Sequence, residues 1–375
     1  MKHTILITGA AGYIGTMLVR RFAAREDVER IVGIDKEPIP DLIRKEPKLV
    51  YLSTNTADDW EGKVREYHPD IVIHAAWQIR EMYGAQDMEW QWNVGGTDKV
   101  FDFAFGESSV TRLVDFSTVA SYGAYPTNTA EQRFTEDEPF RKMDYLYAEE
   151  KRVAEERLKQ KYDAYCSKPG FEQFEQKSVA IVRPAAITGP RGRYMRIRFG
   201  LQSALAGQLK DSFVYRLVGA LVAFVPVTPK WLRQFVHEDD VVNIVEILAF
   251  QDVVRPTSDV GRTTSHMGAY EAFNLCPPGA PVLGEDMAKA VGKHTLPVAP
   301  GLVRVAFAFF WHATRGIIPT GKGAWKSYSY PIAVDGSKVT RVLGYEYTHA
   351  ALDAFRYTDG EYEEFVPEGQ HTHKP

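Results

Sequence analysis

The sequence predicts an α/β fold with a doubly wound parallel sheet. Short apolar runs rich in Val and Ile alternate with helical patterns through the first half of the chain, which is typical of βαβ units. A glycine-rich turn directly follows the first of these runs. Ser and Thr follow the fifth run, at the strand end where such sheets bind ligands.

Each element has its own pattern. The predicted strands are residues 4–8, 30–34, 49–52, 71–74, 112–117 and 178–183. The predicted helices, with apolar residues at three- and four-residue spacing, are residues 13–25, 59–67, 88–105 and 144–162. Beyond them the alternation fades, before one more helix at 239–250 and a strand at 272–275. We therefore predict a second, smaller domain interleaved with the first.

Composition limits the function classes. A chain of 375 residues with 45% apolar residues can bury a large core. Lys and Arg number 45 against 49 Asp and Glu, so no overall basic field attracts nucleic acid, and we expect a small-molecule substrate. The two cysteines, Cys166 and Cys276, have no CxxC spacing and are too few for a disulfide framework, which favours a cytoplasmic location.

Two later stretches, residues 213–227 and 302–319, are apolar and aromatic. Arg216, Arg304, His312 and Arg315 interrupt them below spanning length. They predict buried or interfacial helices and no integral membrane segment. The polar tail at 367–375 contains two histidines but predicts a solvated end, and no metal site is predicted.

Gly9, Gly12 and Gly15 open the first helix directly after the first strand, the context that a dinucleotide-binding turn requires. The first glycine allows the tight turn, the second lets the backbone approach a pyrophosphate, and the third lets helix pack on strand. Asp35 ends the second strand 20 residues later, where a carboxylate accepts hydrogen bonds from ribose hydroxyls and repels a 2'-phosphate. The pattern predicts a Rossmann-type domain that binds NAD rather than NADP, with the adjacent Lys36 interpreted as solvated.

Tyr147 and Lys151 lie four residues apart in a helical pattern, so their side chains share one helix face. A nearby ammonium lowers the pKa of a phenol, which would make Tyr147 a usable proton acceptor beside a carbinol. Thr118, at the end of the fifth strand, can hydrogen-bond the reacting oxygen, although Ser117 and Thr118 could equally cap the next turn.

These motifs, in this order, resemble the NAD-dependent epimerase/dehydratase family, the extended short-chain dehydrogenases/reductases. The resemblance covers nearly the whole chain. Further matching segments are TGAAGYIG from Thr8, HAA at 74–76, NVGGT at 93–97, RPAAITGP at 183–190 and RQFVHEDDV at 233–241. The resemblance supports a Rossmann-type NAD domain at 1–188 plus about 234–277, and a substrate-binding domain at 189–233 plus 278–375.

The resemblance also implies site residues. The implied catalytic set is Thr118, Tyr147 and Lys151. The implied cofactor residues are Gly9, Gly12, Tyr13, Ile14, Gly15, Asp35, Asn55, Thr56, Ala75, Ala76, Asn93, Ser117, Tyr147, Lys151 and Pro184. The implied substrate residues are Trp77, Thr118, Arg191 and Arg233. Family members often pair as homodimers through two helices, here 88–105 and 144–162.

Three functions stay open. Val119 and Ala120 follow Thr118 where similar dehydratases and decarboxylases carry acids, which leaves epimerisation or simple dehydrogenation. Arg233 resembles the family arginine that meets a pyrophosphate, which favours a nucleotide-sugar epimerase. Aromatic residues such as Trp77 favour instead a dehydrogenase or reductase of an apolar, sterol-like or phenylpropanoid-like alcohol or ketone. A non-catalytic NAD sensor or scaffold is the third function.

Overall fold

A seven-stranded parallel sheet forms the centre of the protein. The computed structural model describes residues 2–168, 177–192, 224–251, 269–290, 292–357 and 359–366. The strands are β1 (His3–Thr8), β2 (Val28–Asp35), β3 (Leu49–Ser53), β4 (Ile71–His74), β5 (Arg112–Phe116), β6 (Arg133–Phe134), β7 (Ser178–Pro184), β8 (Ala186–Thr188), β9 (Phe224–Val227), β10 (Leu232–Arg233), β11 (Phe235–His237), β12 (Tyr270–Leu275), β13 (Val282–Leu283), β14 (His294–Pro297) and β15 (Ala333–Val334).

Helices cover both faces of this sheet. The α-helices are α1 (Tyr13–Ala23), α2 (Asp41–Arg44), α3 (Glu61–Arg65), α4 (Gln86–Trp90), α5 (Gly96–Gly106), α6 (Leu146–Cys166), α7 (Glu238–Phe250), α8 (Gly284–Lys289), α9 (Pro300–Ala313), α10 (Ala324–Ser329), α11 (Ser337–Leu343) and α12 (Ala351–Arg356). A π-helical turn spans Gln91–Gly95, and 3-10 turns span Val119–Tyr122 and Glu363–Phe365. Among the described helices, none combines the length and the apolar character needed to span a bilayer.

The strand order across the sheet is β12-β7-β5-β4-β1-β2-β3, with every neighbouring pair parallel. The chain therefore runs outward from β1 to β3 and then returns to β4 on the other side of β1. This reversal opens a crevice at the carboxyl ends of β1 and β4, where ligands bind in such sheets. The doubly wound parallel sheet expected from the sequence is confirmed.

Alternate residues of the central strands point to opposite sides of the sheet. In β1, Ile5 and Ile7 join the apolar cluster that contains Met17 of α1. Leu6, between them, joins the cluster on the other face with Phe101 of α5. Strands buried on both faces explain why the sequence shows continuous apolar runs instead of alternation.

A third apolar cluster, with Val227, Val303, Phe307 and Tyr328 among its members, is formed by residues beyond β8. It packs α9 and α10 against β9, away from the main sheet. The predicted domain boundaries stay a prediction, because residues 193–223 and 252–268 lie outside the described residues.

The helix expected at 88–105 is divided in the structure. It consists of α4, the π-helical turn and α5, and the π turn contains Asn93. Such turns are rare and recur at functional sites. The helix expected at 59–67 is also shorter, because Trp60 stands before α3 and donates its indole N–H to the Thr56 carbonyl oxygen at 2.9 Å.

The glycine turn joins β1 to α1 through close backbone contacts. The Gly9 amide donates to the Ile34 carbonyl oxygen at 2.8 Å, and the Gly12 amide donates to the Gly9 carbonyl oxygen at 2.9 Å. Gly9 has a φ of +74°, and a Cβ there would lie 2.6 Å from the Ala76 backbone nitrogen. A Cβ on Gly15 would overlap the Gly9 carbonyl oxygen. The turn thus requires glycine at both positions.

We predict that Gly15→Ala lowers the free energy of unfolding by about 1–3 kcal/mol, because the added methyl group forces the turn away from α1. Thermal unfolding followed by circular dichroism would measure the change. Gly62→Ala is the matched control, since no atom lies within 4 Å of the added methyl group in α3. Equal melting temperatures for Gly15→Ala and the unsubstituted protein would show that the turn tolerates a side chain.

Candidate active site

A cavity of about 900 Å³ opens at the carboxyl ends of the central strands. Its walls include residues that directly follow or end β1, β2, β4, β5 and β7. Except for Arg191, the site residues expected from the sequence line it: Gly9, Gly12, Tyr13, Ile14, Gly15, Asp35, Asn55, Thr56, Ala75, Ala76, Trp77, Asn93, Ser117, Thr118, Tyr147, Lys151, Pro184 and Arg233. The topology therefore brings residues from distant parts of the sequence to one crevice.

Asp35, at the end of β2, marks one end of the cavity. Its carboxylate accepts the amide hydrogens of Ala11 and Glu37, each at 3.0 Å. Burial raises the pKa of Asp35, and the two amide bonds oppose that rise. The carboxylate is thereby fixed beside the glycine turn, the position in which it would meet the ribose of a dinucleotide.

Lys36 is exposed, as expected, and it also contacts the cavity wall. Its ammonium donates to the Gln78 side-chain oxygen at 3.1 Å and lies 4.4 Å from the centroid of the Trp92 ring. Lys36 therefore connects the end of β2 to the segment after β4, on the wall of the cavity. The nearby Asn55 uses its own side-chain oxygen to accept the Ala57 amide at 2.9 Å, which forms the turn after β3.

Tyr147 and Thr118 form the hydroxyl pair of the site. Tyr147 lies in the first turn of α6, and its phenol is near enough to the Thr118 side chain for that side chain to lower the Tyr147 pKa against the effect of burial. Thr118 caps the 3-10 turn after β5, where its oxygen accepts the Ala120 amide at 3.2 Å. Thr118 therefore caps the turn, as one interpretation of the sequence expected. From the same position it could also contact a reacting hydroxyl group, as the other interpretation expected.

The pKa of Tyr147 is raised, whereas the sequence analysis expected it to be lowered. Burial is the main cause of the rise, and the nearby Thr118 side chain opposes it. Lys151 does not lower the pKa because its ammonium is directed elsewhere. It donates to the Phe116 carbonyl oxygen and lies 3.5 Å from the centroid of the Trp77 ring. Burial also lowers the pKa of Lys151 itself, against the opposing charges of Asp115 and Glu150.

Asn93 connects the segment after β4 to α6. Its side-chain oxygen accepts the Gln78 amide at 2.7 Å, and its amide group donates to the Gln78 carbonyl oxygen at 3.0 Å. The same amide group donates to a Glu150 carboxyl oxygen at 2.7 Å. Asn93 thus fixes the backbone beside Trp77, on the cavity wall.

Three carboxyl groups behind the site were not expected from the sequence. The charge of Glu81 raises the pKa of Glu89, and the charges of Glu81 and Glu89 raise that of Glu150. Each of the three has a buried carboxyl oxygen for which the described residues provide no hydrogen-bond partner. Burial, the largest cause, raises the pKa of Glu89 to about 7 and that of Glu150 to about 8. The sequence contained a signal for the burial of Glu150. It lies four residues before Ala154 and eight before Leu158, and this helical spacing places it on the buried face of α6.

The two predicted substrate arginines lie in different places. Arg233 lines the cavity and donates to the Ser327 carbonyl oxygen at 2.9 Å, and burial lowers its pKa. Arg191 does not line it. Its guanidinium donates to the Tyr13 carbonyl oxygen at 3.0 Å and to Thr16, and therefore attaches the segment after β8 to α1. The substrate role predicted for Arg191 is not supported by this position.

Two further observations show that the cavity could hold a dinucleotide. Gly12 precedes α1 without a side-chain cap, so the first amides of this helix remain accessible to an anion. Ser117 Oγ and Trp77 Nε1 are buried on the wall, with no hydrogen-bond partner among the described residues. Polar atoms left in this state are expected where a ligand completes the site.

Comparison with known proteins identifies the family. The model of the NAD dependent epimerase/dehydratase family matches residues 5–258, more than half of the chain. The chain belongs to this family. Family membership confirms two predictions. The protein is an enzyme of the extended short-chain dehydrogenase/reductase type, and its cofactor is NAD.

Solved structures of epimerases and dehydratases share the fold. The Bordetella bronchiseptica enzyme WbmG, solved with NAD and UDP, has a TM-score of 0.63 at 19% identity, covering 94% of this chain and 92% of its own. UDP-glucuronic acid 4-epimerase from Bacillus cereus has a TM-score of 0.62 at 17% identity, covering 97% and 100%. dTDP-glucose 4,6-dehydratase from Bacillus anthracis has a TM-score of 0.60 at 14% identity, covering 94% and 96%.

Curated relatives match over shorter lengths. An uncharacterized protein of Mycobacterium tuberculosis is 28% identical over 141 residues, which is 37% of this chain and 37% of the relative. An uncharacterized protein of Methanocaldococcus jannaschii is 26% identical over 172 residues, 41% of this chain and 51% of the relative. The match therefore spans about two fifths to half of their length.

The stability of the protein is expected to depend on pH, because carboxyl groups are buried behind the site. The pKa of Glu150 is about 8 in the folded protein against 4.5 as its ordinary value. A carboxyl group whose pKa is raised by folding stabilises the protein fully at low pH, and this stabilisation is lost as the pH rises through 8. Gln resembles the protonated carboxyl group and does not titrate.

The unsubstituted protein is therefore expected to lose stability between pH 5 and pH 9. We predict that Glu150→Gln makes this loss smaller by on the order of 2 kcal/mol. Denaturant unfolding at several pH values measures the difference between the two proteins. Glu156→Gln is the control, because that side chain of α6 is 54% exposed. Parallel pH profiles for Glu150→Gln and the unsubstituted protein would contradict a buried, protonated Glu150.

Proposed function

We propose that the protein epimerises a nucleotide sugar at a carbinol carbon. The observation that carries the proposal is the Tyr147 and Thr118 hydroxyl pair, which lies in one cavity with Arg233 at one side and the glycine turn at the other. WbmG and the Bacillus cereus epimerase, which share the fold, are solved with UDP and with UDP-glucuronic acid. These ligands supply the pyrophosphate that a guanidinium recognises.

The glycine turn and Asp35 would hold NAD by its pyrophosphate and ribose, with Lys151 and Ser117 at the other end of the cavity. When bound there, NAD would supply a hydride acceptor and donor for a carbinol carbon. Tyr147 holds the proton of the substrate hydroxyl at its phenol oxygen, and Thr118 orients that hydroxyl by a hydrogen bond. The wall formed by Trp77 excludes water from the reacting carbon.

The distribution of carboxylates on the cavity wall favours epimerisation over dehydration. Asp35 and Glu37, both near the end of β2, are the carboxylate residues on the described part of the cavity wall. Val119 and Ala120, next to Thr118, carry no acid or base. Elimination of water needs such a group beside the sugar, whereas epimerisation needs only that the oxidised sugar turns within the site.

A second candidate is a dehydrogenase or reductase of an apolar alcohol or ketone, which the apolar wall of the cavity favours. Trp77, Phe307, Tyr328 and Ile332 all line it. Family membership argues against a non-catalytic NAD sensor. The cytoplasmic location and the homodimer through α5 and α6 remain part of the proposal.

A panel of UDP-sugars and hydroxysteroids, each incubated with NAD, tests the two candidates. An epimerase changes the stereochemistry of a sugar without net release of NADH, as seen by nuclear magnetic resonance of the product and absorbance of the cofactor. Stoichiometric NADH formation from a hydroxysteroid would replace the epimerase proposal by the dehydrogenase one.

We predict that Tyr147→Phe lowers kcat about 10²–10⁴-fold, because the phenol oxygen that carries the proton is removed. The affinity for NAD, measured by calorimetry, is expected to change little. Tyr145→Phe is the matched control, since Tyr145 lines the same cavity and its ring lies 5.9 Å from that of Tyr147. Equal losses in both variants would argue that Tyr147 has only a packing role.

We also predict that Arg233→Lys raises KM for the active UDP-sugar about tenfold, because an ammonium cannot make the paired hydrogen bonds of a guanidinium to a pyrophosphate. Arg191→Lys is the control, and it is expected to lower the melting temperature instead of raising KM. A KM unchanged by Arg233→Lys would remove the pyrophosphate from the proposal.

A further inference from the structure

Helix α9 is apolar on two opposite faces. Val303, Phe307 and Trp311 recur every four residues and are buried, with the first two in the cluster that contains β9. The outer face and the turn after it carry large side chains that are about two-thirds exposed or more: Leu302 65%, Val305 67%, Phe309 65% and Ile317 82%. We call these four residues the α9 patch. They are the most exposed large hydrophobic side chains in the described ranges.

The α9 patch lies beside the mouth of the cavity. The Tyr83 ring packs on that of Trp311 at a centroid distance of 5.3 Å, and its hydroxyl group lies 3.2 Å from the His312 ring nitrogen Nδ1. These contacts place the segment containing Ile79, which is 61% exposed and lines the cavity, next to the end of α9. The exposed apolar surface thus continues from the helix to the cavity rim.

The sequence around α9 is strongly basic in a chain whose net charge is −4. Residues 287–334 contain no Asp or Glu. Their cations are Lys289, Lys293, Arg304, Arg315, Lys322 and Lys326. Lys326 pairs with Asp144 of a neighbouring segment at 2.6 Å, but the segment as a whole retains a positive charge beside exposed apolar side chains.

We propose that the α9 patch docks on the surface of a bilayer that contains anionic lipids. A helix with exposed Leu, Val and Phe side chains and flanking Lys and Arg residues lies in the plane of the lipid headgroups, with its apolar side chains inserted and its cations on lipid phosphates. The 14 residues of α9 are far too few to cross the bilayer. The helix therefore lies on the membrane, and the cavity mouth faces it.

The charge also argues against a second copy of this chain as the occupant. A symmetric dimer places the same surface of each protomer against itself. Two copies of a segment that has six cations and no carboxylate of its own would then be brought together, and like charges across an interface oppose association. Anionic headgroups complement the segment instead.

Flotation with lipid vesicles tests the proposal, using the full chain. We expect binding to vesicles of phosphatidylcholine with phosphatidylglycerol, weak or no binding to phosphatidylcholine alone, and weaker binding at high salt because the ionic attraction is screened. Phe309→Ser is expected to lower the partition coefficient about tenfold, because an inserted ring is lost. Arg304→Gln is expected to lower it several-fold on the anionic vesicles.

Leu42→Ser is the matched control, because Leu42 is an exposed apolar residue of α2, distant from α9 in sequence. It should leave the partition coefficient unchanged, and thermal unfolding shows that each variant folds. Absence of binding to anionic vesicles would overturn the proposal, as would binding that Phe309→Ser leaves unchanged. If the protein does not bind vesicles and forms a dimer that Phe309→Ser dissociates, the α9 patch is instead an interface with a second copy of the chain.

Discussion

The site depends on the burial of polar groups of α6 against the end of β5. The Lys151 ammonium donates to the Phe116 carbonyl oxygen at the last residue of that strand. One turn earlier on the same helix face, Tyr147 meets Thr118, two residues beyond Phe116. The strand end and the helix are thereby held in register. Because unpartnered buried charges are costly, this register is difficult to shift without loss of stability.

The same constraint shapes the electrostatics around the helix. Arg183 of β7 forms a buried ion pair with Glu155, one turn beyond Lys151. Burial lowers the pKa of Lys151 and raises those of Tyr147 and Glu150. Each shift favours the neutral form of its group. Near pH 7 Tyr147 and Glu150 are therefore neutral, whereas Lys151, with a pKa of about 8, is still mostly charged. A cationic cofactor ring would be a further group that favours a phenolate.

The sequence was sufficient to predict the sheet and the part of the cavity wall that the strand ends form, but not the part formed by α9, α10 and their neighbours. Continuous apolar strands, the glycine spacing and the Tyr147 to Lys151 spacing are local patterns with direct geometric meaning. Arg191 shows a limit of this reasoning, because the resemblance implied a substrate role while its guanidinium donates to Tyr13 and Thr16. The pKa of Tyr147 could not be foreseen, since it depends on burial and on where the Lys151 ammonium points.

The π-helical turn between α4 and α5 orients Asn93 at a cost in local helix stability. Such a turn holds one residue more than an α-helical turn and has poorer hydrogen bonding. Deleting one residue would restore a continuous α-helix, yet it would rotate Asn93 by about 100° around the helix axis. Its amide would then point away from Gln78 and Glu150. A one-residue deletion would thus give this segment a longer, more regular helix, but the Asn93 side chain would no longer join the segment after β4 to α6.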